Sequence, residues 1–87
     1  MILPEIYGIE DLYSSIEMDD AIYNFGMCDM GATIVLWLTK EMKSNGASRN
    51  FVYLIENGKI LWGELRYKPP PNVIDACNQL AKLIVFL

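Results

Sequence analysis

The stretch NFVYLIENGKILWGELRY, residues 50 to 67, constrains this chain more tightly than any other. Asn57 and Gly58 tolerate the positive φ angles of a type I′ turn, and the runs on either side are rich in aromatic and aliphatic strand formers. A two-residue turn fixes the register. Glu56 then opposes Lys59, Ile55 opposes Ile60, Leu54 opposes Leu61, Tyr53 opposes Trp62, Val52 opposes Gly63 and Phe51 opposes Glu64.

Opposed residues share a face, so one face carries Phe51, Tyr53, Ile55, Ile60 and Trp62, and the other Val52, Leu54, Leu61 and Leu65. Both faces are apolar. A lone ribbon of this kind is marginal and keeps open edges, so it must gain a third strand, be covered on both sides, or pair with another chain. The segment MILPEIY at residues 1 to 7 is a candidate third strand, with Pro4 confining it to an edge.

Toward the N-terminus, Ile9, Leu12, Tyr13 and Ile16 recur at helical spacing, and so do Met18, Ala21, Ile22 and Phe25. The two stripes are about half a turn out of phase, which requires a break near residues 17 to 19. Two short acidic helices are therefore expected. The stretch CDMGATIVLWLTKEMKSNG reads as a longer helix over about 30 to 44, with Asp29 as its N-cap and Gly46 beyond its end; TIVLWLT within it also has the residue types of a strand, but Ile34, Val35, Trp37, Leu38 and Met42 fall on one side of a helix, which favours the helix. KPPP at 68 to 71 ends the second hairpin strand, and Asn72 is placed as the cap of a final helix with Val73, Cys77, Leu80, Ile84 and Leu87 on one stripe. The expected architecture is one small α+β domain spanning residues 1 to 87: short N-terminal acidic helices, a longer central helix (or strand), an antiparallel β-hairpin and a C-terminal helix.

Composition limits the function. The chain has no His and only Cys28 and Cys77, so a zinc site of nitrogen and sulfur ligands and His-based acid–base catalysis are both excluded. The stretch DDAIYNFGMCD places apolar residues where a calcium loop needs oxygen ligands. No metal, cofactor or catalytic residue is assigned, and the protein is read as no enzyme. The longest apolar runs, IVLWL and LIVFL, are far short of the roughly 20 residues of a membrane-spanning helix. The start of the chain lacks the features of a signal peptide, and a cytoplasmic protein without membrane attachment is expected.

Charge is divided along the chain. Residues 1 to 39 hold seven acids and no base, while residues 40 to 87 hold seven bases and four acids, which gives −7 and +3 and a net −4. Acids at helix starts explain part of this through the helix dipole. The other reading is a docking face made of Glu10, Asp11, Glu17, Asp19, Asp20 and Asp29, aimed at a larger protein with a basic surface, a nucleic-acid-binding protein among the candidates. A hydrophobic content of 53 % in so short a chain leaves apolar surface for the same partner.

An inhibitor, immunity-type or adaptor protein fits these limits, including the short acidic inhibitors that phages and mobile elements direct at nucleic-acid-handling machinery. Two alternatives accompany it. One is a homo-oligomeric structural subunit, in the simplest case a homodimer, joined through the hairpin. The other is a nucleic-acid binder that uses Phe51, Tyr53 and Trp62 as a stacking face with Arg49, Lys59, Arg66 and Lys68 nearby. The net negative charge opposes direct nucleic-acid binding.

Overall fold

The hairpin turn adopts the predicted geometry, with Asn57 at φ 54° and Gly58 at φ 76°, in a computed structural model that describes residues 13–30, 33–63 and 67–85, without the side chains of 29, 30, 84 and 85. Its strands, β4 (Ser48–Glu56) and β5 (Lys59–Leu61), pair Glu56 with Lys59, Ile55 with Ile60 and Leu54 with Leu61, as the turn dictates. The ladder stops there. Trp62 leaves the strand but keeps its predicted neighbour, meeting the Tyr53 ring edge-on at 4.9 Å between centroids. The positions 64 to 66, and the candidate strand at residues 1 to 7, lie outside the described residues.

The N-terminal half corrects the sequence reading. In place of acidic helices the chain forms β1 (Ser14–Met18) and β2 (Ala21–Met30), and in place of the central helix it forms β3 (Thr33–Met42). The break expected near 17 to 19 is real, but it is the Asp19–Asp20 turn of a hairpin in which Met18 opposes Ala21 and Asp19 takes φ 54°. Asp tolerates that left-handed conformation through local hydrogen bonding. Asp29 therefore sits inside a strand and caps no helix, and Gly46, at φ 74°, serves the turn between β3 and β4.

The physical reason is period. Ala21, Tyr23, Phe25 and Met27 are all buried, and they alternate with Ile22, Asn24, Gly26 and Cys28. In β3 the half-buried Ile34 and the buried Leu36 and Leu38 share that face and alternate with Val35, Trp37 and Thr39, of which Val35 is buried on the reverse face. Because the reverse face also carries apolar residues, the alternation is hidden, and a two-sided apolar strand reads as a continuous run. The third strand that the hairpin required is β3, which pairs with β4 from Ile34↔Ile55 to Glu41↔Ser48.

The five strands form one antiparallel meander in the order β1-β2-β3-β4-β5, curled so that one face is concave. Phe25, Leu36, Leu38 and Tyr53 line that face and are fully buried. Helix α1 (Pro71–Val85) lies over part of it and inserts Val73, Cys77 and Ala81. The helix starts earlier than the expected Asn72 cap: Pro71 takes the first helical position, and the Pro70 carbonyl accepts from the Val73 and Ile74 amides at 2.9 and 3.0 Å. Proline suits that position because its φ is already helical and its missing N–H would have had no partner. Asp75 consequently falls beyond the first turn.

Tyr67 ties the β5-to-α1 crossing to the sheet. Its carbonyl accepts from the Tyr53 hydroxyl, its ring stacks on Phe51 at 4.9 Å, and its hydroxyl lies 3.3 Å from that of Tyr23.

Two substitutions test this architecture. Gly58→Val places a β-branched residue at positive φ and should cost about 1 to 3 kcal/mol in a urea melt. Gly26→Ala should cost a similar amount, about 1 to 3 kcal/mol, through overpacking, because a Cβ there would lie 2.8 Å from the Trp37 ring. Melts superimposable on the parent would mean that the turn or the Gly26–Trp37 pairing is misplaced.

Candidate functional site

The curl gives the sheet two faces of different chemistry. The register assigns Ile16, Tyr23, Leu38, Lys40, Arg49 and Tyr53 to the concave side, and Glu17, Trp37, Glu41, Val52, Leu54 and Glu56 to the convex side. Among the sheet side chains described, the concave face carries the cations Lys40 and Arg49 and no carboxylate. The convex face carries Glu17, Glu41 and Glu56 against the single cation Lys59.

On the convex face Leu54 is 53 % exposed, flanked by Val52 at 44 % and Leu61 at 46 %. Leu54 and Leu61 oppose each other directly, so these three form one contiguous apolar stripe across β4 and β5. Trp37 opposes Val52, lies across Gly26, and stacks on Tyr13 at 5.4 Å; the Tyr13 hydroxyl donates to Asn24 Oδ1 at 3.0 Å. Thr39 Oγ1 donates to Asn50 Oδ1 at 2.8 Å and gives the stripe a polar border.

The acids singled out in the sequence are distributed as follows. Glu17 is ion-paired with Lys43, whose backbone N–H also donates to the Asp20 carbonyl. Asp19 and Asp20 are exposed at the β1–β2 turn. Asp29 lies nine residues along β2, about 30 Å from Asp20 at roughly 3.3 Å per residue. Its side chain, Glu10 and Asp11 are outside the described residues. Glu17, Asp19 and Asp20 are thus brought together at one end of the sheet, close to Lys43, and Asp29 is not with them.

The concave face holds a second feature. Lys40 and Arg49 are directly opposed across β3 and β4, a like-charge pairing that costs about 0.2 to 1 kcal/mol. Neither has a carboxylate within ion-pair distance among the described residues. The Lys40 ammonium lies 5.2 Å from the Tyr67 ring centroid and 5.9 Å from that of Tyr23. Burial, then the Tyr67 hydroxyl contact, pushes the Tyr23 phenol above its ordinary value, against the opposing pull of Lys40. Tyr23 is therefore neutral and offers Lys40 a ring face without a counter-charge. Beside these groups is a cavity of about 350 Å³ lined by Lys40, Met42, Arg49, Phe51 and Tyr67, with Ala47 and Ser48 at its rim.

Of the stacking face considered for nucleic acid, Tyr53 is 1 % exposed and faces the core, while Phe51 and Trp62 are half-buried, Trp62 against the edge of the Tyr53 ring. Lys59 projects from the opposite face, and Arg66 is outside the described residues. No group of three or more metal-ligating side chains occurs among the described residues, and none of the described helices is long and apolar enough to cross a membrane.

The sequence reading missed Glu41, Glu56, Trp37 and the Lys40–Arg49 pair as surface determinants. The apolar stripe was visible in the hairpin register. The charge pair had no local signal, because it exists only through the pairing of β3 with β4.

Cys77 is fully buried, and burial pushes its thiol up to about 12, which keeps it protonated near neutral pH. Its reaction with a disulfide reagent at pH 8 should be about a hundredfold or more slower in the native protein than in urea. Equal rates would show that α1 does not pack as described. Comparison with protein-family models, curated proteins and solved structures gives no match.

Proposed function

We propose that the protein acts by binding, without catalysis, and that it docks its convex sheet face onto an apolar patch ringed by cations on a larger protein. The observation that supports this most directly is the Val52–Leu54–Leu61 stripe, which keeps about half of each side chain in water while Glu17, Glu41 and Glu56 share its face with Lys59 and with Lys43, the ion-pair partner of Glu17. An exposed contiguous apolar stripe within an acidic field is complementary to an apolar, basic surface. Asp19 and Asp20 extend the field at one end.

Inhibitor, immunity-type and adaptor roles suit a body of this size and charge, and a basic partner from nucleic-acid-handling machinery suits the sign of the field. A cytoplasmic setting is consistent with Cys28 and Cys77 lying on opposite faces of the sheet, where they cannot form an intrachain disulfide.

The test compares the parent with Leu54→Lys/Leu61→Lys and with Glu17→Gln/Glu41→Gln/Glu56→Gln. A host protein captured by the parent should bind the Lys variant about tenfold or more weakly, with the thermal midpoint within a few degrees of the parent. The Gln variant should associate more slowly and with a flatter salt dependence, because long-range attraction acts mainly on encounter. Undiminished capture by the Lys variant would overturn the docking face. A concentration-independent dimer of the parent, abolished by the same variant, would identify a second copy as the occupant instead.

A further inference from the structure

The opposed cations Lys40 and Arg49 lie where a sheet would ordinarily place opposite charges. Their neighbours are rings and a methionine: Phe51 and Tyr67, stacked on each other, and Met42 all line the cavity. Two positive groups thus border, without a carboxylate within ion-pair distance among the described residues, a cavity of about 350 Å³ lined in part by this aromatic pair. That volume falls in the lower part of the range for small-molecule sites, which pair an apolar lining with a few convergent polar groups.

We infer that this cavity is a binding site for a small organic anion, with its anionic group between Lys40 and Arg49 and its apolar body against the Phe51–Tyr67 pair and Met42. The anion converts a repulsive cross-strand pair into a bridged one, and the aromatic pair takes a hydrophobic moiety that a simple inorganic ion lacks. The groups are held in place before binding. Tyr67 is fixed by the Tyr53 hydroxyl at its carbonyl, and the β3–β4 turn closes the near end through Met42 N–H to Ala47 O at 2.7 Å and Gly46 N–H to Met42 O at 2.8 Å. A polymeric phosphate backbone is the less suitable occupant. The site offers it two cations in a chain of net charge −4, and salt-dependent binding to such a polymer grows with the number of phosphates neutralised.

The site lies on the concave face, opposite the Leu54 stripe, and does not depend on the docking role proposed for that stripe. Nothing in the sequence marks it, since Lys40 and Arg49 meet only through strand pairing.

The experiment is an amide-resolved NMR titration of the full chain with four probes: 2-naphthoate, the neutral 2-naphthalenemethanol, inorganic phosphate and a single-stranded oligothymidylate. Naphthoate should give saturable shifts at Arg49, Phe51 and Tyr67 with a Kd below about 1 mM. The alcohol and phosphate should bind about tenfold or more weakly, and Lys40→Gln/Arg49→Gln should weaken naphthoate binding by about tenfold or more. Ligand-free Arg49→Gln should melt at or above the parent temperature, because it relieves like-charge repulsion. Absence of saturable shifts, equal binding of the alcohol or of phosphate, or undiminished binding by the double variant would overturn the inference. So would tighter binding of the oligonucleotide than of naphthoate, or a lower melting temperature for Arg49→Gln.

Discussion

One 15-residue helix cannot cover a five-stranded sheet, and the rest of the structure depends on that mismatch. The helix is about 22 Å long and about 10 Å across. Ten-residue strands such as β2 and β3 are about 33 Å long, and five strands span about 19 Å between the outer axes. The helix therefore shields roughly a third of one face. Curling brings the concave residues that α1 does not shield toward one another and toward Tyr67, whose hydroxyl meets that of the buried Tyr23, while Phe25 lies beside Ala76 and Leu80 of α1 itself. The convex face receives no such help from α1, and the apolar side chains placed there by the hairpin register stay in water.

Both proposed sites follow from this division. Where the concave face runs past the helix, Tyr67, anchored to Tyr53 and stacked on Phe51, gives it cover among the described residues. The cavity with Lys40 and Arg49 lies beside that cover. The convex face collects the sheet's described acids and its exposed aliphatic stripe. Cations at the concave mouth and carboxylates on the outer face also divide the net charge through the thickness of the sheet, a division that a count along the chain cannot display.

The hairpin was legible because Asn57 and Gly58 impose a backbone requirement that few other pairs satisfy, and a two-residue turn leaves one register. The Val73, Cys77 and Leu80 stripe was legible for the same kind of reason, since a single buried face on a helix leaves a clear period. Residues 13 to 42 were not. Ile16, Met18, Ala21, Tyr23 and Phe25 satisfy a period of two across the Asp19–Asp20 turn, yet Met18, Ala21, Ile22 and Phe25 also satisfy a helical spacing. Ile22, Val35 and Trp37, on the reverse face, supplied the apolar residues that completed the false pattern. The candidate site inherits this ambiguity, because Lys40 meets Arg49 only if residues 33 to 42 are a strand.

Both sites derive from the contrast between the two faces of the sheet, and a soluble paramagnetic probe measures it. Methyl signals of the isolated protein, recorded with increasing nitroxide, should broaden strongly for Val52, Leu54 and Leu61 and remain sharp for Leu36, Leu38 and Val73. Equal protection of the two sets, with no dependence on protein concentration, would show that the convex face is covered within the chain itself and would contradict the division from which both sites are derived.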